Sequence, residues 1–235
     1  MSTVFPKWTN RLPPILAGGG LTVAVAVIGL VWYYFTPKFW VVGYMPKQPD
    51  AGFNHLIHAG KLGLDCRYCH TKVEKSFTAN VPNVSTCMGC HTEGRLALST
   101  VDPNNAHNQK VAFVRQAYAE DRSIEWRRIH KVPDYVQFPH FVHVKAGVSC
   151  YSCHGMINRM DVVQHVEPMS MSWCLDCHRN PEQRLVPPDR VTQLTWVNEQ
   201  LSDVHKQETD GKRLLEALRS NPLHNPPENC AACHY

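Results

Sequence analysis

Two stretches decide how this chain folds: FNHLIHAGKLGLDCRYCH at residues 53–70 and FPHFVHVKAGVSCYSCH at residues 138–154. Each opens with Phe-x-His-x-x-His and closes with Cys-x-x-Cys-His. The two Phe-x-His-x-x-His elements are displaced by 85 residues; the second His lies 8 residues before Cys66 in the first copy and 7 before Cys150 in the second. A further Cys-x-x-Cys-His follows each copy, and another closes the chain. The ten cysteines therefore form five pairs of one spacing: Cys66/Cys69, Cys87/Cys90, Cys150/Cys153, Cys174/Cys177 and Cys230/Cys233. His70, His91, His154, His178 and His234 follow them directly.

Two thiols at this spacing suit the two vinyl groups of one haem, and the adjacent imidazole suits the proximal position on its iron. Zinc sites consume such pairs two at a time, so five would leave one over. A disulfide framework would leave the five trailing histidines unexplained. The pattern predicts five covalently bound haem c groups and no cysteine left for structural disulfides.

The fold class that follows is mostly α with extensive loops, cored by haem rather than by a conventional hydrophobic interior. About 40 residues outside the N-terminal segment serve each site, too few for a sizeable core. The 17 prolines and 13 glycines agree with a loop-rich chain. The formal charge of +4 would fall towards about −6 if ten haem propionates ionised, and no basic nucleic-acid-binding module is present.

Residues 14–35, PILAGGGLTVAVAVIGLVWYYF, are uncharged and mostly apolar, long enough to span a bilayer as a helix. Lys7 and Arg11 precede the run; Trp32, Tyr33, Tyr34 and Phe35 end it, suiting an interfacial aromatic belt, and Lys38 lies just beyond. Haem is attached outside the cytoplasm, which puts the N-terminus inside and the remainder on the periplasmic side of a bacterial cytoplasmic membrane. A cleaved signal peptide is the alternative; the run is long for one, and no small-x-small site follows it.

The organisation expected is a cytoplasmic N-terminus (1–13), an anchor helix (14–35), a two-haem module (50–92), a linker (93–137), a second two-haem module (138–180) and a tail (181–235) with the fifth haem. On a helical turn, His at i and i+3 share a face yet diverge enough to reach two irons. His55, His58, His140 and His143 are therefore the first candidates for the distal positions, and His130 is the fifth. His165 and His224 rank behind; His107 and His205 read as solvated. Met171 (with Met169 second) is the candidate for one methionine ligand, which would raise that haem's potential. Residues 112–129 read as a charged, solvated linker. Leu194, Val197, Leu201 and Val204 fall at helical spacing, with Gly211 expected to end that helix.

The anchor, FNHLIHAGKLGLDCRYCH, EWRRIHKVPDYVQFPHFVHVKAGVSCYSCH, MSMSWCLDCHRNPE and the terminal NCAACH together resemble the pentahaem cytochrome c subunit of alternative complex III, a bacterial quinol:electron-acceptor oxidoreductase. The paired-His modules are also similar to small class III multihaem cytochromes. The resemblance implies an electron-relay subunit rather than a catalyst on its own. It implies integral membrane subunits that bind quinol, an iron–sulfur subunit resembling molybdopterin oxidoreductases, and a monohaem cytochrome c, another soluble carrier or a terminal oxidase as acceptor. Two other readings compete: a self-contained membrane-anchored quinol dehydrogenase feeding a periplasmic reductase, and a catalytic multihaem reductase. The second needs an open or unusually ligated iron, and five plain motifs with spare histidines disfavour it.

Overall fold

The computed structural model describes residues 5–35, 52–95, 106–126, 128–220 and 225–235. Lys38 and His224 lie outside the described residues, as do the side chains of His107 and His205. The described chain is helical and strandless, with a single isolated bridge between Val148 and Leu185.

The first long helix, α1 (Leu12–Phe35), follows a 3-10 turn at Lys7–Arg11. Its 24 residues extend about 36 Å at 1.5 Å each, enough for a hydrocarbon core of about 30 Å. It is the one helix among the described residues long and apolar enough to cross a membrane, and none of that span is buried against protein. An apolar helix without a protein partner is unlike a core helix, and it fits a single-pass anchor. The Thr22 hydroxyl donates to the Gly18 carbonyl (2.9 Å), which removes a polar group from an apolar surface.

Short helices carry four of the five cysteine motifs: α2 (Cys66–Cys69), α3 (Val84–His91), α6 (Cys150–His154) and α7 (Met171–Arg179). Each starts at a polar N-cap whose side chain accepts a first-turn amide: Asp65 from Arg67, Asn83 from Thr86, Ser149 from Tyr151 and Ser170 from Trp173. Helical spacing then puts both thiols of a pair on one face. The fifth motif forms a 3-10 turn, Cys230–Ala232, without a side-chain cap.

The two Phe-x-His-x-x-His elements adopt related but unequal turns. The second is the α-helix α5 (His140–Lys145), whereas the first runs into a π-helical turn, Leu56–Lys61. The extra residue between His58 and Cys66 accounts for this, since a π turn is how a helix absorbs one insertion.

The repeats dock reciprocally. The Leu56 amide donates to the Met160 carbonyl (2.9 Å), and the Phe141 amide donates to the Ser76 carbonyl (3.3 Å). Leu56 and Phe141 are equivalent by the 85-residue offset, and Ser76 and Met160 by the 84-residue offset of the first motifs. Each module's histidine turn therefore packs on the segment that follows the other module's first cysteine motif. Gly60 makes the first of these contacts close, because a Cβ there would run into the Asn158 carbonyl oxygen.

Two sequence expectations are corrected. Part of the 93–137 linker is a helix, α4 (Ala106–Ala119), which buries Val111, Val114 and Ala117 and packs on α3. The charged segment after it is exposed at Glu120, Asp121, Arg122 and Glu125. Gly211 does not end a helix. The expected helix breaks at Asp203 into α8 (Leu194–Ser202) and α9 (Val204–Arg219), and Gly211 lies inside α9. It is glycine because α9 crosses the 3-10 turn Pro181–Gln183 so closely that a Cβ would fall on the Glu182 carbonyl oxygen.

The apolar core is small and mostly valine: Val73, Val144, Val186, Val191 and Val197, flanked by Tyr151, Trp196 and Leu201. It joins residues from both modules to α8. Overpacking α9 against Pro181–Gln183 should outweigh the helix propensity gained by Gly211→Ala, roughly 1 kcal/mol, with a net loss of about 1–3 kcal/mol. Thermal unfolding should show a Tm lower by several degrees; an unchanged or raised Tm would disprove the close crossing.

Candidate haem sites

Each repeat presents its histidines on a phenylalanine in the same way. Phe53 lies edge-on to His55 (4.8 Å between centroids) and stacks on His58 (4.3 Å). Phe138 repeats this with His140 (4.9 Å, edge-on) and His143 (4.4 Å, stacked). The two rings of each pair thus lie at different tilts against one phenylalanine.

Six histidines have Nδ1 fixed by a backbone carbonyl. His58 and His143 donate to the carbonyls four residues back, of Asn54 and Pro139 (both 2.9 Å). His70 donates to Asn80, His140 to Phe77 and His178 to Pro227 (all 2.6 Å), and His234 to Tyr135 (3.0 Å). A carbonyl only accepts, so Nδ1 carries the proton and Nε2 keeps its lone pair. This tautomer leaves Nε2 ready for a metal. The left-handed backbone at Asn80 (φ 60°) turns its carbonyl toward His70, and its side chain caps the Lys72 amide (2.9 Å).

The second His of each repeat faces the His of its own module's second motif. His58 and His91 are 5.9 Å apart between centroids, and His143 and His178 are 6.1 Å apart. Two imidazoles sharing one iron would be separated by about 6 Å, with each metal–nitrogen bond near 2 Å and each ring centre about 1 Å beyond. Both pairs match that separation.

A third group is buried where the modules meet. His130 lies 4.2 Å from His154 and 4.4 Å from His165 between centroids. His130 Nε2, His154 Nδ1 and His165 Nδ1 are buried without hydrogen-bond partners, as is His55 Nδ1. Burial, then the neighbouring His165 and His140, holds His130 down to about 4. Burial, then His70 and His58, does the same to His55, also to about 4. His154 is pushed well below its ordinary value, chiefly by burial. Sequence reasoning ranked His165 behind the repeat histidines; in the structure it is 6 % exposed and part of this cluster. Its context, VVQHVEP, carries no motif, and only the buried neighbour Val163 hinted at an inward face.

Eight of the ten thiols are partly buried. Burial raises Cys69, Cys87, Cys174 and Cys177, and pushes Cys153 up to about 12, whereas the hydrogen bond with Cys150 lowers Cys66. At the raised thiols this is unlike the low-pKa environment of a redox dithiol. Among the described residues, no three His, Cys, Asp or Glu side chains are arranged to hold a metal ion directly. Paired thiols on one helical face, Nε2 left free by six anchored rings, and orphaned imidazole nitrogens in the interior together fit haem c. Met171 opens α7 and is 62 % exposed; Tyr135 is the ring beside His234 (5.8 Å).

His55 and His130 fold with pKa values near 4, below the ordinary 6.5 of an unfolded histidine. The unfolded state therefore binds more protons between these values. Stability should be fully present above pH 6.5 and fall as pH drops toward 4, by at most about 1.4 kcal/mol per pH unit for each group. Guanidinium unfolding of the haem-free chain at pH 7 and pH 5 checks this; equal stability at both would contradict the neutral, buried assignment.

No family model matches the chain. It is similar to the multiheme cytochrome c subunit of menaquinone reductase from Nitratidesulfovibrio vulgaris (strain Hildenborough), 29 % identical over 140 residues. The match covers 60 % of this chain and 58 % of that relative, so the alignment spans less than two thirds of the relative's length.

Proposed function

We propose that the chain is a membrane-anchored pentahaem cytochrome c that relays electrons out of a quinol-oxidising membrane complex to a periplasmic cytochrome c, another soluble carrier or a terminal oxidase. The observation that carries this is the pair of equivalent imidazole separations, His58–His91 at 5.9 Å and His143–His178 at 6.1 Å. Similarity to a subunit of a menaquinone reductase supports the quinol context. The likeness to alternative complex III rests on the sequence strings, and its iron–sulfur, integral membrane and monohaem partners belong to this proposal.

In this reading each cysteine pair anchors one haem c, and His70, His91, His154, His178 and His234 hold the five proximal positions. When bound, haem c supplies a one-electron Fe(III)/Fe(II) couple. His58 with His91, and His143 with His178, would each hold one haem iron between them. His140 and His55 both stand within electrostatic reach of His70 and are the candidates opposite it. His130 and His165 are the candidates opposite His154. Met171 shares a helical face with Cys174, which stands within reach of Cys233, and this makes it the candidate for the fifth site. Helix α1 holds the chain in the cytoplasmic membrane with its N-terminus inside and the haem domain on the periplasmic side.

The relay reading is tested by mixing the membrane-embedded chain with a reduced quinol analogue. Haems should stay oxidised until the partner subunits are added; rapid reduction of the isolated chain would instead support a self-contained quinol dehydrogenase. His58→Ala and His143→Ala should each convert one of five haems from low spin to high spin, read by electron paramagnetic resonance, with five haems still present by mass. Full retention of the low-spin signal in both variants would remove these two ligands from the assignment.

A further inference from the structure

We propose that the five attachment sites form a line that does not follow the sequence, in the order second, first, third, fourth, fifth, so that Cys87/Cys90 and Cys230/Cys233 mark its two ends. The inference rests on the haem-relay reading above and adds the direction in which the chain is wired.

The centre of the line is the junction of the two modules. Arg67 and Thr192 both bind the Asp65 carboxylate, which caps the first motif; the Thr192 hydroxyl donates to it at 2.7 Å. The adjacent Val191 carbonyl accepts from the Ser149 hydroxyl (2.6 Å) and the Cys150 amide (3.3 Å) at the start of the third motif. A single peptide segment thus clamps the first and third motifs together, and the Cys66 and Cys150 side chains meet there. These are equivalent residues of the two repeats, as a contact on a two-fold axis requires.

The outer sites follow from the same packing. On one side, the Tyr68 hydroxyl of the first motif approaches Gly89 of the second, 3.9 Å from where a Cβ would lie, and Cys69 stands within electrostatic reach of Cys87 and Cys90. On the other side, Cys153 stands within reach of Cys177 and Cys174. Beyond that, the fourth motif is tied to the fifth: His178 donates to the Pro227 carbonyl (2.6 Å), and Arg179 pairs with Glu228 (3.0 Å). Exposure gives an independent indication. Of the ten cysteines, Cys90 and Cys230 are exposed, whereas the other eight are partly buried. The exposed thiols belong to the second and fifth motifs, the two ends of the proposed line, where a partner has access.

The order is tested by photoinjection into the haem-loaded full chain. A ruthenium photoreductant is attached through Tyr235→Cys, beside the fifth site at a residue 70 % exposed. Its excited state donates one electron at a time into the chain, and a tertiary amine in solution reduces the oxidised complex again. The haems reduced in the fast phase are counted by absorbance. With Cys87→Ser/Cys90→Ser the proposal expects all four remaining haems in the fast phase; with Cys66→Ser/Cys69→Ser it expects three, the second haem being cut off. A line in sequence order reverses these counts, three and then four, and would overturn the proposal. Should either variant fail to fold, the iron positions in density for the unsubstituted, haem-loaded complex decide it. The first site's iron between those of the second and third supports the order, and the second site's iron between those of the first and third refutes it. Quinol and partner subunits take no part in either measurement, so failure of the relay reading and failure of the order are separate results.

Discussion

The site depends on one repeated interaction, the hydrogen bond from a histidine Nδ1–H to a backbone carbonyl. It determines the tautomer, points Nε2 the opposite way and limits rotation of the ring. For His58 and His143 the acceptor lies four residues back, so the turn itself provides it. For His140, His178 and His234 the acceptors are 63, 49 and 99 residues away. Those rings are aimed only once distant segments have docked. At these three positions ring orientation is therefore a product of tertiary structure.

What holds the modules together is modest by ordinary standards. The valine cluster is small, and ion pairs such as Arg67–Asp65 and Arg67–Glu74 are partly exposed, worth no more than about 1 kcal/mol each. Buried imidazoles with unpaired nitrogens add cost, because desolvated polar groups without partners destabilise. Haem c offers both an apolar surface for the interior and a metal for those nitrogens. Folding and cofactor attachment are in this view one process, much as in small metal-dependent domains.

The local parts of this architecture were legible in the sequence. Cys-x-x-Cys-His and Phe-x-His-x-x-His are short enough that helical geometry determines which atoms share a face, and the structure gives both repeats the same Phe–His arrangement. The apolar run at 14–35 read as a membrane-length helix because length and composition suffice for that. Long-range features were not legible. His165 has no local signature, and its burial beside His130 depends on how two modules meet. Helix α4 was missed because the charges at 120–128 dominated the segment, while its inward face among the described side chains is Val111, Val114 and Ala117. Gly211 was misread because glycine marks both helix ends and close crossings, and only the position of Glu182 distinguishes them.

The reciprocal docking of the repeats also bears on direction. Two modules related by an approximate two-fold axis make a unit whose two ends are equivalent, and such a unit has no preferred sense. The fifth motif removes that equivalence, since among the described residues it attaches to the second module, through Pro227 on His178 and Glu228 on Arg179, and to the segment just before it, through His234 on Tyr135. Among the described residues the outer motif of the first module is instead covered by α4, with Arg115 donating to the His91 carbonyl (3.0 Å). The asymmetry of the chain thus lies in what was added to each end of a duplicated core: a helix at one and a further cysteine motif at the other. Partners meeting the two ends would meet different surfaces, as the proposed relay requires.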